Sequence, residues 1–155
     1  MTTLLLLLAF LGLLAGSAFC SSAETAYFSI DPIQLRRIAE KRPASAERLR
    51  ALLANPTRLL STILIGNTFV NLALANVGYL LAERWAPAYA EAIAIPAVTI
   101  LLIFFGEVGP KNIGLLYTSA LVRLYGPPLR IAERLLAPLR FVLDLVSHRL
   151  AHLFR

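Results

Sequence analysis

The hydrophobic positions of this 155-residue chain are grouped in long apolar blocks that short polar segments separate. The blocks cover residues 4–30, 59–82 and 88–124, and the last becomes less apolar after Phe105. Each has about the 20 residues that a helix needs to cross roughly 30 Å of hydrocarbon. Backbone groups within lipid must find partners in their own segment, so the blocks predict three transmembrane helices.

The polar segment between the first two blocks has its own helix signals. Asp31-Pro32 and Asn55-Pro56 each place a capping residue before a proline at the first helical position, and Pro43 divides the segment. We expect two short helices, at residues 33–40 and 44–53. The fold class is therefore an all-α membrane protein with a short helical hairpin between its first two spans.

The tail differs from the spans. Pro127-Pro128 is expected to break the chain after Gly126, and the later residues alternate between polar and apolar at helical spacing. This pattern predicts a transmembrane domain at residues 1–126 and a juxtamembrane amphipathic helix at residues 127–155, which lies against anionic lipid head groups. A linker helix toward a further soluble domain is the alternative.

The charge distribution predicts an orientation. Most of the 15 Lys and Arg residues lie between the first two spans or after the third, and Arg84 alone lies between the second and third. The positive-inside rule then puts the N-terminus outside, and the first loop and the C-terminus in the cytoplasm, of a multi-pass protein in the plasma or inner membrane.

The composition fits a bilayer better than water. The chain is 58% hydrophobic and 15% charged, whereas soluble domains carry about 25% charged residues. The net charge of +6 does not indicate nucleic-acid binding, because the basic residues are interleaved with apolar ones. Residues 1–20 resemble a cleaved signal, but they lack a basic start and place bulky Phe19 before Cys20, so we expect a retained span.

Polar residues inside the spans are the candidate functional residues, because such groups are costly in hydrocarbon. The third span contains the sequence Gly106-Glu107-Val108-Gly109-Pro110-Lys111. Pro110 has no N–H for the Gly106 carbonyl, so we expect a helix broken near residues 106–111 with a free carbonyl oxygen. The polar residues of the other two spans are Ser21, Ser22, Glu24 and Thr25 in the first, and Asn67 and Asn71 in the second.

Hydroxyl, amide, carbonyl and carboxylate oxygens are hard ligands, which suit Mg²⁺ or Ca²⁺ and also Na⁺. A thiolate or imidazole site is excluded because Cys20 is the single cysteine and both histidines, His148 and His152, lie in the tail. Structural alternatives exist for every group. The hydroxyls can bond back to their own helix, the asparagines can join helices, Glu24 can pair with Lys111, and the third span can simply be kinked.

Three local patterns together resemble the CorC/CNNM (cyclin M) magnesium transporter family. They are Phe19-Cys20-Ser21-Ser22-Ala23-Glu24-Thr25-Ala26, Gly66-Asn67-Thr68-Phe69-Val70-Asn71 and the segment from Gly106 to Lys111. The family's layout is also similar, with three spans, a helical pair between the first two and a juxtamembrane helix. Ala23 departs from the pattern, because many relatives have serine there.

The resemblance implies a homodimer that exports or exchanges Mg²⁺, with Na⁺ as a candidate coupling ion. By position, the family's cation ligands fall on Ser21 or Ser22, Asn67 or Asn71, Gly106 and Glu107, with Glu24, Thr25, Gly109, Pro110 and Lys111 in support. Regulatory CBS domains, which usually follow in the family, are not within these residues.

Three functions are compatible with these residues. The first is a Mg²⁺ transporter, the second a divalent-cation sensor that regulates another channel, and the third a membrane anchor for soluble domains. We do not expect an enzyme, because the sequence has no Ser-His-Asp, Cys-His or metal–water arrangement.

Overall fold

The computed structural model describes residues 2–139 and 141, and these residues form helices and short connections with no β-strand. The predicted all-α fold is confirmed. The elements are α1 (Thr2–Phe28), α2 (Pro32–Lys41), α3 (Pro43–Leu53), α4 (Pro56–Trp85), a 3-10 turn (Pro87–Tyr89), α5 (Ala90–Leu101), a π-helical segment (Leu102–Val108), α6 (Gly109–Leu116) and α7 (Thr118–Leu135).

Three helical stretches of the described chain are long and apolar enough to cross a membrane, namely Thr2–Phe28, Pro56–Trp85 and Pro87–Leu116. Their outer surface carries large apolar side chains, such as Leu4 and Phe104, which are each 62% exposed. A continuous apolar exterior of this kind is costly in water and suits lipid. The chain is therefore a multi-pass membrane protein, as its hydrophobic pattern predicts.

Helices α2 and α4 begin at prolines, but only α2 has the expected side-chain cap. Asp31 accepts hydrogen bonds from the backbone N–H groups of Ile33 and Gln34, at 2.6 and 2.8 Å. Asn55, before α4, makes no capping hydrogen bond with its side chain to any described residue, so that part of the prediction is wrong. Pro56 at the first helical position starts α4 without it, because its backbone is already set for a helix.

Helix α1 is the central element, and it packs against α4, α6, α7 and the π segment. It runs antiparallel to α4, because Thr3 is hydrogen-bonded to Arg84 while Ser17 contacts Asn67. We call the end near Thr3 the far end. The opposite end, where α2, α3 and α7 lie, is the basic end, and there a buried cluster that includes Tyr27 joins α1 to those helices.

The third span is not interrupted where the sequence predicts a break near residues 106–111. It instead widens into the π segment at Leu102–Val108 and returns to an α-helix at Gly109. The Gly109 N–H bonds to the carbonyl of Phe104, five residues back. Pro110 explains the change of register, because it has no N–H to continue the usual i to i−4 pattern.

Helix α7 also differs from the prediction, because it runs through Pro127-Pro128 without a break. The turn between the third span and α7 comes earlier, at Tyr117. The Tyr27 hydroxyl donates to the Val122 carbonyl at 2.9 Å and so holds α7 against α1 on the N-terminal side of the prolines. Most of the predicted amphipathic tail, including His148 and His152, lies outside the described residues.

Candidate cation site

Three oxygen atoms from three spans meet in the interior of the bundle. The Ser17 hydroxyl oxygen lies 3.4 Å from the Asn67 side-chain oxygen and 3.5 Å from the Gly106 carbonyl oxygen. Ser17 is completely buried. These separations exceed the roughly 2.7–2.8 Å of a typical O–H···O hydrogen bond. The Ser17 hydroxyl therefore lies near both other oxygens without being tightly bonded to either, and we call the three oxygens the central triad.

Two further buried oxygens continue the central triad along the bundle. The Ser21 hydroxyl and the Asn71 side-chain oxygen are buried and have no hydrogen-bond partner among the described residues. Each lies one helical turn from a triad member, Ser21 from Ser17 and Asn71 from Asn67. Because α1 and α4 are antiparallel, Ser21 lies toward the basic end and Asn71 toward the far end. Buried polar atoms without partners are rare and call for an explanation.

The π segment brings the Gly106 carbonyl to this place. A Cβ atom added at Gly106 would lie 2.8 Å from the Ser17 hydroxyl oxygen, so only glycine allows α1 to approach this closely. A Cβ atom added at Gly109 would lie 2.5 Å from the Phe104 carbonyl oxygen, which makes the π register dependent on glycine there. The sequence Gly106-Glu107-Val108-Gly109-Pro110 thus sets both the register and the close contact.

The predicted ligand Ser22 and the predicted supporting residue Thr25 instead bond to their own helix. The Ser22 hydroxyl donates to the Ala18 or Phe19 carbonyl, at 2.7 and 3.2 Å, and lies 3.2 Å from the Tyr125 hydroxyl. The Thr25 hydroxyl donates to the Ser21 carbonyl at 3.2 Å. These contacts match the structural alternative for both residues, and they leave Ser21 as the predicted hydroxyl that has no described partner.

The charged candidates contribute no oxygen to the central triad. Lys111 forms an ion pair with Glu24 at 3.8 Å, and both side chains are partly exposed. Glu107 follows Gly106 in the π segment and is half-buried, but it has no ion-pair partner within residues 2–139 and 141. The described residues contain no group of three or more carboxylate, imidazole or thiol side chains placed to hold a metal. The oxygens of the central triad are therefore uncharged.

Ser17 is the residue of this cluster that the sequence analysis missed. It lies in the apolar run of the first span, between Gly16 and Ala18. A single serine there is not distinguished from the small packing residues on either side. The available signal was its spacing, because Ser17 precedes Ser21 by four residues and so shares its helix face.

Comparison with known proteins connects this arrangement to a family. Residues 7–155 match the family described as CNNM, the cyclin M transmembrane N-terminal domain. The UPF0053 inner membrane protein YfjD of Escherichia coli is 32% identical over 134 residues, which are 86% of this chain and 31% of that protein. The UPF0053 protein sll1254 of Synechocystis is 28% identical over 140 residues, which are 90% of this chain and 40% of that protein.

A plant relative matches a similar share of the chain. The DUF21 domain-containing protein At1g55930, chloroplastic, of Arabidopsis thaliana is 32% identical over 138 residues, which are 87% of this chain and 20% of that protein. The chain thus spans well under half the length of these relatives. Since the family match covers nearly all of its residues, the chain belongs to the cyclin M transmembrane N-terminal domain family.

Proposed function

We propose that this chain is the membrane domain of a divalent-cation transporter, that Mg²⁺ is its cargo, and that Na⁺ is the coupling ion. The observation that carries the proposal is the meeting of Ser17, Asn67 and Gly106 oxygens from three separate spans. An ion bound there has ligands on every span, so a movement of the spans against each other changes its coordination. This is how transporters with binding sites near the membrane midplane alternate their access.

The chemistry of the central triad suits Mg²⁺. Octahedral Mg²⁺ with metal–oxygen distances of about 2.0–2.1 Å places neighbouring ligands about 3 Å apart. The two separations from the Ser17 oxygen, 3.4 and 3.5 Å, therefore need to close by only about half an ångström. Mg²⁺ loses its waters reluctantly, so a few protein oxygens are enough for a partly hydrated ion. Uncharged ligands also favour release, which a transporter needs as much as binding.

The buried Ser21 and Asn71 oxygens fit the same proposal. They lie on opposite sides of the central triad along the bundle, and each lacks a described partner. An ion moving between the basic end and the far end would meet them before and after the central triad. Glu107 contributes negative charge beside the path. In this proposal the protein works as a homodimer, faces the cytoplasm with its basic end, and carries out no enzymatic reaction.

Magnesium flux in proteoliposomes tests the proposal. Asn67→Ala removes a ligand oxygen, so flux should fall by about tenfold or more, the effect of losing one hydrogen-bonding group to a charge. Asn76→Ala is the matched control, because Asn76 lies on the same helix, is exposed and bonds only to its own Leu72 carbonyl among described residues. It should leave the flux unchanged.

The outcomes separate the candidate functions. Equal flux in both variants would reject the central triad as the transport site. Mg²⁺ binding by the original chain without any flux would instead support a cation sensor. If the chain shows neither Mg²⁺ binding nor flux, the remaining candidate function is a membrane anchor for other domains.

A further inference from the structure

A cavity of about 200 Å³ lies at the basic end between α2 and α7. Its floor includes the buried side chain of Ile38. None of its residues belongs to the candidate cation site. The polar residues that line it, which we call the basic pocket, are Gln34, Arg37, Lys41, Arg42, Ser119 and Arg123.

The basic pocket has four cationic side chains and no matching carboxylate. The ion pairs among the described residues join Arg58 to Glu133 and Lys111 to Glu24, and neither involves a residue of the pocket. All four side chains are exposed, so water screens part of their mutual repulsion, and a bound anion relieves the remainder. The charge of the pocket therefore calls for a ligand with more than one negative charge.

Two polar side chains of the basic pocket, Arg123 and Gln34, can donate hydrogen bonds to an anion. The Arg123 Nε–H donates to the Ser119 carbonyl at 2.8 Å, which fixes the guanidinium on α7 and leaves its terminal N–H groups for a ligand. The Gln34 side-chain oxygen is buried without a described partner. Rotation of this amide presents its NH₂ donors to the same position. Arginine and amide donors of this kind bind phosphate oxygens well.

The position and size of the basic pocket narrow the class of ligand. Gln34 and Ser119 come shortly after Phe28 and Leu116, where the first and third spans end, so the pocket lies at the level of lipid head groups. Its volume of about 200 Å³ is below the roughly 300–1,000 Å³ of pockets that enclose a drug-sized molecule. A single phosphate group fits these limits better than a whole nucleotide.

We propose that the basic pocket binds a phosphomonoester group. A phosphomonoester carries a charge of about −1.5 to −2 near neutral pH, which matches four cations better than the single charge of a phosphodiester. The group belongs either to a lipid head group such as that of phosphatidic acid or to a soluble phosphate ester. The site is separate from cation transport and from the tail that was predicted to lie against anionic lipid.

The lipid source is tested with the whole chain in nanodiscs of phosphatidylcholine, alone or with phosphatidic acid or phosphatidylglycerol, in EDTA and without Mg²⁺. We expect phosphatidic acid to raise the unfolding temperature and to be retained in native mass spectrometry, more than phosphatidylglycerol. Arg37→Gln combined with Arg123→Gln should weaken this binding by about 100-fold, or about tenfold for each charged contact.

The matched control combines Arg36→Gln with Arg134→Gln, which removes the same charge from the same two helices at exposed positions outside the pocket. Because neither of these side chains lines the pocket, the control should change the affinity by less than about threefold. Both variants must unfold at the original temperature in phosphatidylcholine alone, which shows that they fold.

The soluble source is tested in detergent micelles with inorganic phosphate and glycerol 3-phosphate. Saturable binding there that the pocket variant loses, with no added effect of phosphatidic acid, supports the pocket with a soluble ester as its ligand. Equal weakening by the control, equal binding of phosphatidylglycerol, or no binding in either arm would overturn the proposal. Because Mg²⁺ is absent throughout, a failure of the transport proposal does not affect this result.

Discussion

Gly106 shows how much of the candidate site depends on a residue that has no side chain. Its carbonyl oxygen is a member of the central triad, and the space that a Cβ atom would occupy is taken by the Ser17 hydroxyl. Helix α1 and the π segment therefore pack so closely at Gly106 that the Ser17 side chain fills the space between their backbones. Small residues at such contacts are typical of helices packed in a membrane.

Gly106→Ala should therefore reduce Mg²⁺ affinity by about tenfold or more, because the new methyl group displaces the Ser17 hydroxyl from its place. Gly12→Ala is the control, since an added Cβ there meets no described atom within 4 Å. Titration of purified protein with Mg²⁺, followed by unfolding temperature, compares the two. Similar affinities for both variants would contradict the role given to Gly106.

The sequence predicts part of this site at the residue scale. Asn67 and Gly106 stand out because an amide and a glycine–proline segment are unusual within apolar spans. The choice of Ser17 and Ser21 over Ser22 could not be predicted, because it depends on how α1 is rotated against α4. In lipid both faces of a helix are apolar, so hydrophobic periodicity does not mark the interior face.

At the scale of elements, two polar contacts at the basic end add to the buried cluster that joins its helices. The Tyr27 hydroxyl reaches the Val122 carbonyl on α7, and its side chain is 1% exposed. Arg58 on α4 pairs with Glu133 on α7 at 3.6 Å, although the Arg58 side chain is largely exposed. The tyrosine contact should matter more, because exposed ion pairs contribute little.

Tyr27→Phe should lower the free energy of unfolding by about 1–2 kcal/mol, because it leaves a buried carbonyl with one donor fewer. Tyr117→Phe is the control, since Tyr117 is 61% exposed at the turn before α7, and it should change stability by less than about 0.5 kcal/mol. Denaturant unfolding in micelles measures both. A loss of stability that is equal in the two variants would show that the hydroxyl of Tyr27 is unimportant.

The lengths and order of the spans follow from the hydrophobic blocks, but two local features do not. The prolines at 110 and at 127–128 predict interruptions, yet the third span changes to a π register and α7 continues through its prolines. Proline removes one hydrogen bond, and the neighbouring packing decides whether the helix stops or adapts. Local sequence cannot reveal that packing.

At the scale of the whole molecule, the two ends of the bundle differ in charge. The basic end carries α2, α3 and α7 with most of the described Lys and Arg residues, while Arg84 lies at the far end beside exposed Trp85. The positive-inside rule predicts that the basic end faces the cytoplasm.

Labelling with a membrane-impermeant maleimide in intact cells tests this orientation. Cys20 is the single cysteine, so Cys20→Ser provides a background in which Ala86→Cys and Ala44→Cys can be compared. Ala86→Cys, after α4, should react from outside. Ala44→Cys, at the start of α3, should react only after the membrane is permeabilised. The reverse pattern would invert the proposed topology.

The Ser17 hydroxyl carries one hydrogen but faces two acceptor oxygens, on Asn67 and on Gly106. At any moment one of the two goes without it. A Mg²⁺ ion bound as proposed would attract the Ser17 oxygen and both acceptor oxygens together, so neither acceptor would then depend on that single hydrogen. Release of the ion would leave the two acceptors sharing one hydrogen again, so we expect the empty site to be less well satisfied than the loaded one.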